Sequence, residues 1–150
     1  MADWGWFSRL HRAVYERTGG RWMSRLAGIE MLLLTTTGRR SGLPRTTPLA
    51  CFARGGEGGE PREWVVVGSN NGQERHPAWW LNLEAQPLAR IQVGAERHDV
   101  RARLAEGEER ADLWPWLVQR NPVYARYERR TRRPIPVVVL SPTSGGDTLP

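Results

Sequence analysis

Between Met31 and Leu140 the chain alternates short apolar, β-rich runs with turns marked by glycine and proline, and this rhythm leaves little choice of architecture. Met31 to Thr37 has the composition of a buried strand and is closed by Gly38 and a basic turn ending at Pro44. Thr46 to Ala53 reads as a second strand, and a loop from Gly55 to Pro61 holding four glycines separates it from a third at Trp64 to Val67. These three are expected to be antiparallel neighbours. Ala89 to Val93 and His98 to Leu104 flank a Gly94 to Arg97 turn, and Val100, Ala102 and Leu104 alternate with Arg101 and Arg103, which implies one wet face. Ile135 to Leu140 supplies a last strand. About six strands, mostly joined by hairpins, disfavour a parallel doubly wound sheet and favour a mainly β fold, a small antiparallel barrel with helices attached.

The helical pieces are fewer. Pro77 suits the first turn of a short helix running to about Ala85. Glu108 and Glu109 sit where a helix N-terminus favours negative charge, and that helix carries Leu113, Trp114, Leu117 and Val118, with Pro115 expected to kink or restart it. Another piece carries Tyr124 and Tyr127. At the front, Trp4, Phe7, Leu10 and Val14 recur at helical intervals with Arg9, Arg12, Arg17 and Arg21 between them. Residues 1–28 therefore read as an amphipathic helix, residues 29–142 as the barrel domain and residues 143–150 as a polar tail. The simplest role of the first helix is to cap the barrel; Trp4 and Trp6 also suit a lipid headgroup zone, which makes residues 1–25 a candidate for peripheral contact with the inner membrane face. Met1 to Arg12 has no continuous apolar core of signal-peptide length, and the Met31 to Leu34 run is too short to span a bilayer, so a cytoplasmic location is expected.

Composition narrows the chemistry. At 150 residues a single domain is expected. All 22 basic residues are arginine, which removes Schiff-base chemistry and the phosphate-loop lysine together. A formal charge of +6 favours an acidic partner: nucleic acid, anionic lipid, or a phosphorylated or carboxylated small molecule. The lone Cys51 excludes an internal disulfide and a multi-cysteine metal site. No G-x-S-x-G, H-E-x-x-H or G-x-G-x-x-G motif occurs, and His11, His76 and His98 are scattered. What remains suits binding and positioning, as in a protein whose cofactor performs the difficult step.

Four constellations stand out. Thr35 to Leu49 joins two strands through a turn in which Gly38 and Gly42 allow close backbone approach, while Arg39, Arg40 and Arg45 supply charge and Ser41 a hydroxyl. Three planar guanidinium forks within seven residues fit an extended acidic ligand better than a small ion, although charge alone would equally fit a solvated hairpin. Gly68, Ser69, Asn70, Asn71 and Gly72 leave the third strand with amides able to bond a heterocycle or phosphate, or to form a plain Asn-Gly turn. Trp79 and Asn82 share a helix face, and Asn82 needs a partner, either a ligand carbonyl or a backbone group. Tyr124 and Tyr127 offer phenols to a substrate, beside an arginine run at residues 120–133 that reads as a solvated face, as steering for an acidic ligand, or as a phosphate-backbone contact.

Taken together, the runs LLLTTTGRRSGLPRTTPL, VVVGSNNG, HPAWWLNLEAQP and NPVYARYERRTRRPIPVVVLSP resemble, in order and spacing, the deazaflavin (F420)-dependent nitroreductase family over roughly residues 31–142. The resemblance implies a split β-barrel related to FMN-binding barrels and coenzyme F420, with FMN as the alternative cofactor. It places cofactor contacts on Arg39, Arg40, Ser41, Pro44, Arg45, Ser69, Asn70, Trp79 and Asn82, and catalytic roles on Tyr124, Tyr127 and Ser69. The implied reaction is hydride transfer from the reduced deazaflavin to a quinone, nitro compound or other electron-poor small molecule. Ala50 stands where some relatives carry an aromatic residue and Asn121 where some carry another tyrosine, which implies a roomier substrate pocket. A non-catalytic F420 carrier or sensor is the competing reading; a nucleic-acid binding module rests on charge alone and lacks the exposed aromatic strand positions that single strands require.

Overall fold

Trp64 to Val67 and Val137 to Leu140 show no alternation because both of their faces are covered, and the architecture is built around that pair. The computed structural model describes residues 25–26, 28–59 and 62–144. Among them the strands are β1 (Arg25–Leu26), β2 (Ile29–Thr37), β3 (Pro44–Ala50), β4 (Phe52–Arg54), β5 (Glu63–Val67), β6 (Leu88–Val93), β7 (Glu96–Leu104) and β8 (Val137–Pro142). The helices are α1 (Ala78–Ala85), α2 (Gly107–Arg120) and α3 (Val123–Arg130). Every strand pairing is antiparallel, in the order β1-β2-β6-β7-β8-β5-β4, with β3 paired to β2.

The sheet rolls around one apolar interior, in which Leu32, Leu34, Trp64, Val66, Ile91, Val100, Val138 and Leu140 meet Trp79, Trp80 and Leu83 of α1. The alternate residues of β5 and β8, Val65, Val67, Val137 and Val139, pack outward against Leu113 and Leu117 of α2 and Tyr124 of α3. In β7, by contrast, Val100 and Ala102 point in while Arg101 and Arg103 stay exposed, as the alternation required; Leu104, expected on the inner face, is exposed at the strand end.

The run read as one strand over Thr46 to Ala53 is two. Cys51 interrupts it, its amide bonded to the Glu30 carbonyl at 2.9 Å; residues before it pair with β2 and residues after it pair with β5, at the opposite end of the sheet. The chain itself thus carries the sheet from its last strand back to its first, and the barrel is split at this seam. The division of that strand and the addition of β1 turn the expected six strands into eight. β1 also shows that Arg25 and Leu26 are extended, and Gly28 has φ +80°, so the amphipathic helix expected over residues 1–28 does not reach its expected end; residues 1–24 and 27 lie outside the described residues, as does the tail beyond Ser144.

Pro115 does not interrupt α2, which runs unbroken from Gly107 to Arg120. Leu113 and Leu117, buried on either side of it, anchor both halves to the outer core, which outweighs the lost amide bond to Ala111. Glu109 is more than a helix-start charge. It pairs with Arg54 of β4 at 2.6 Å and with Arg103 of β7, while Glu63 of β5 accepts from Arg54 at 3.2 Å and from the Ser141 hydroxyl at 2.6 Å. Arg103 holds the Glu109 carboxyl below its usual pKa. This network fastens α2 across four strands. Among the described residues no helix is long and apolar enough to cross a membrane.

Burial sets the behaviour of two core acids. The Cys51 thiol is pushed up from 9.0 to about 12, first by burial and then by the charge of Glu30; burial likewise pushes the Tyr124 phenol from 10.0 to about 12. Both are neutral in the fold at pH values where the unfolded chain would ionise them. Their contribution to stability is therefore complete at lower pH and is lost toward pH 12, from about 9 upward for Cys51 and from about 10 upward for Tyr124, at about 1.4 kcal/mol per pH unit for each group in its window. The melting temperature is expected to be flat from pH 7 to 9 and to fall above it. Cys51→Ala should flatten the first part of that fall, and an equally steep fall in the variant would show that the thiol does not drive it.

Candidate functional site

The tight turn between β2 and β3 is set by backbone geometry. The Gly38 amide donates to the Leu43 carbonyl and the Gly42 amide to the Gly38 carbonyl, both at 2.8 Å, and Gly42 has φ +71°. A Cβ on Gly38 would lie 2.8 Å from Ser41 Oγ, so only glycine closes the turn this tightly. Ser41 Oγ in turn accepts from the Leu43 amide at 3.1 Å and from Arg45 Nη2 at 3.2 Å. Arg39 is tethered from across the fold: its amide and its Nη1 both donate to Asn82 Oδ1, at 3.2 and 3.0 Å. Asn82, buried in α1, donates its Nδ2 to the buried Thr36 hydroxyl at 3.1 Å.

This turn forms one end of a cleft of about 1100 Å³. Of the sequence-expected cofactor contacts, Arg39, Arg40, Ser41, Arg45, Ser69, Asn70, Trp79 and Asn82 all line it; Pro44 does not, lying at the start of β3 opposite Thr37. Tyr124 and Tyr127 line its other side, with Ala50, Val67, Asn121 and Val123. Among the described residues the lining includes a fourth arginine, Arg75, and no carboxylate, so these side chains make the field inside positive. Arg75 and His76 were not singled out from sequence, because nothing local distinguishes them from a solvated loop.

The buried amide of Asn82 finds protein partners in Arg39 and Thr36 and so ties α1 to the turn, while the residue also lines the cleft. Trp79 is core and wall together, buried against the barrel interior with one side on the cleft. At the far end, Gly68–His76 forms a strap that leaves β5. Gly68 packs so closely on Pro136 that a Cβ would lie 2.7 Å from its ring. Asn70 and Asn71 both have positive φ, +46° and +56°, and Asn70 Nδ2 bonds the Arg75 carbonyl at 2.9 Å.

The tyrosines differ in kind. Tyr124 is buried, and the lift in its pKa is partly opposed by a hydrogen bond from Asn121, so it is a durable neutral hydrogen-bond donor and a reluctant acid. Tyr127 is half-buried and donates its hydroxyl to Asn71 Oδ1 at 3.3 Å, which links the tyrosine side of the cleft to the strap. Among the described residues no cluster of histidine, cysteine or carboxylate side chains could hold a metal.

The chain is similar to known proteins along most of its length. The model of the F420H(2)-dependent quinone reductase family matches residues 6–142. A curated F420H(2)-dependent quinone reductase of Mycobacterium tuberculosis strain H37Rv is 41% identical over 137 residues, covering 89% of this chain and 88% of the relative. A solved F420-H2 dependent reductase superposes with a TM-score of 0.64 at 37% identity, over 73% of this chain and 92% of that one. A pyridoxamine 5'-phosphate oxidase-related, FMN-binding protein from Nostoc punctiforme shares the fold alone, with a TM-score of 0.50 at 14% identity over 95% of this chain and 83% of that one.

Proposed function

The chain belongs to the F420H(2)-dependent quinone reductase family, and from that premise we propose how its cleft divides the work of the reaction. The protein is an oxidoreductase that reduces quinones with coenzyme F420. What supports the assignment of residues is the cleft itself, with three arginines at the turn and a fourth, Arg75, on the strap, no carboxylate among the described residues of its wall, and an apolar side bearing phenols.

The donor set fits the coenzyme's acidic phosphate and oligoglutamate tail. Arg39, Arg40 and Arg45 hold that tail, with Arg39 aimed by Asn82 and Arg45 steadied by Ser41. Ser69 and Asn70 of the strap set the ring end, and Trp79 supplies an apolar wall that excludes water beside it. When bound in its reduced form, the coenzyme supplies a hydride. Ala50, Val123 and the tyrosines receive the flat apolar body of the quinone. A carbonyl that gains a hydride gains negative charge, and the neutral Tyr124 phenol stabilises it by donating a hydrogen bond while keeping its own proton. Tyr127 reaches toward solvent and relays the proton the product needs.

The same proposal extends to nitro compounds and other electron-poor acceptors, and to work in the cytoplasm with residues 1–25 available to the inner membrane face, as Trp4 and Trp6 among arginines suggest.

The test is titration with oxidised F420 and with FMN, then oxidation of reduced F420 by a panel of quinones, using wild type and Tyr127→Phe. Wild type should bind F420 in preference to FMN and turn over quinones. Tyr127→Phe should keep cofactor affinity and lose roughly tenfold or more in turnover. Equal turnover in the variant would leave solvent as the direct proton source.

A further inference from the structure

We propose that Arg133 is a positioning residue for hydride transfer: from behind the Gly68–His76 strap its guanidinium fixes the carbonyls of Gly68, Ser69 and Gln73, and so sets where the ring-end wall of the cleft stands. The inference deepens the division of labour above and rests on it. Arg133 Nη1 donates to the Gly68 carbonyl at 3.1 Å, Nη2 to the Ser69 carbonyl at 2.8 Å and Nε to the Gln73 carbonyl at 2.9 Å. Nη1 also lies 3.2 Å from His76 Nδ1. One planar fork therefore ties the root of the strap to its returning limb. Arg133 itself does not line the cleft, so it acts through the strap.

A clamp is what this strap requires. Two successive residues, Asn70 and Asn71, sit in the left-handed region, which asparagine adopts more readily than other side chains but still at some cost, so contacts from outside the strap help hold the bend. The bend is held from α3 and its exit: Tyr127 OH on Asn71 Oδ1 and Arg130 Nη1 on the Asn71 carbonyl, each at 3.3 Å, and the Arg132 amide on Glu74 Oε1 at 3.0 Å. α3 presses so closely here that a Cβ on Gly72 would lie 3.2 Å from the Tyr127 Cα. Arg133 completes the hold at the limbs, bonding neutral acceptors throughout. Of the strap residues proposed for the ring end, Ser69 is itself an anchor point and Asn70 lies between the anchors. Lysine at this position would keep the charge and lose the fork, since an ammonium cannot span three carbonyls in one plane.

The experiment compares wild type with Arg133→Lys and Arg133→Met by amide hydrogen exchange of the unliganded proteins, by titration with oxidised F420, and by single-turnover oxidation of reduced F420 with a water-soluble naphthoquinone. Exchange should quicken in residues 69–76 of both variants while β2, β5 and β8 are unchanged. The dissociation constant should move by less than about threefold, because the arginine turn still grips the tail. The single-turnover rate at saturation should fall roughly tenfold or more, because a displaced wall misaims the hydride. Unchanged strap exchange, an unchanged rate, or full rescue by lysine overturns the proposal. Quickened exchange spread through the barrel, with affinity lost in proportion, also overturns it by reducing Arg133 to a structural residue. Should wild type take up no deazaflavin, the functional reading falls, while strap exchange in the two variants still decides whether Arg133 holds the strap.

Discussion

Arg40→Glu is expected to weaken F420 binding at least tenfold, about 1.4 kcal/mol, without a change in melting temperature. Arg40 lines the cleft and is exposed, outside the hydrogen bonds that close the turn, so its reversal leaves the fold alone. On the proposed assignment it removes one charge-assisted contact and sets a carboxylate against the acidic tail. The loss should shrink as salt is raised, since screening acts on exposed charges. Isothermal titration at two salt concentrations checks this, and an unchanged dissociation constant would move the tail away from the arginine turn.

Asn82→Leu should act in the opposite way, through the fold first. The substitution removes both bonds from Arg39 and the bond to Thr36, leaving a 1% exposed threonine hydroxyl unsatisfied. A cost of roughly 2 to 4 kcal/mol follows, because a buried polar group without its partner forfeits its solvation outright. Melting temperature should fall by about 2–4 °C for each kcal/mol. Cofactor affinity should fall with it, since Arg39 loses the tether that aims it. A variant that kept its stability and lost only affinity would show that Asn82 meets the ligand directly.

Much of this was legible beforehand because local chemistry and tertiary role coincided. The Leu32 to Leu34 and Trp64 to Val67 runs signalled burial by composition and are buried. The arginine turn drew notice through glycine spacing and charge, and the same residues line the cleft. Failures occurred where a role depends on a partner far along the chain. The break at Cys51 leaves no mark in composition, since Thr46 to Ala53 reads as one strand; only pairing with opposite sheet edges divides it. Asn82 was visible as a buried amide in need of a partner, but Arg39 lies 43 residues away. Arg133 was hidden inside a run of arginines, several of them exposed, and its acceptors lie about sixty residues upstream.

The prolines of β3 bear on self-association. Pro44 and Pro48 stand four apart, so both missing amide hydrogens fall on the same side of the strand. The ladder to β2 is continuous from Met31 opposite Ala50 to Thr37 opposite Pro44, which puts that side outward. An open edge normally invites another chain to add a strand and grow an aggregate. Among the described residues β3 pairs only with β2, and on its other side the invitation is blunted at two points, which disfavours strand addition there in a crowded solution.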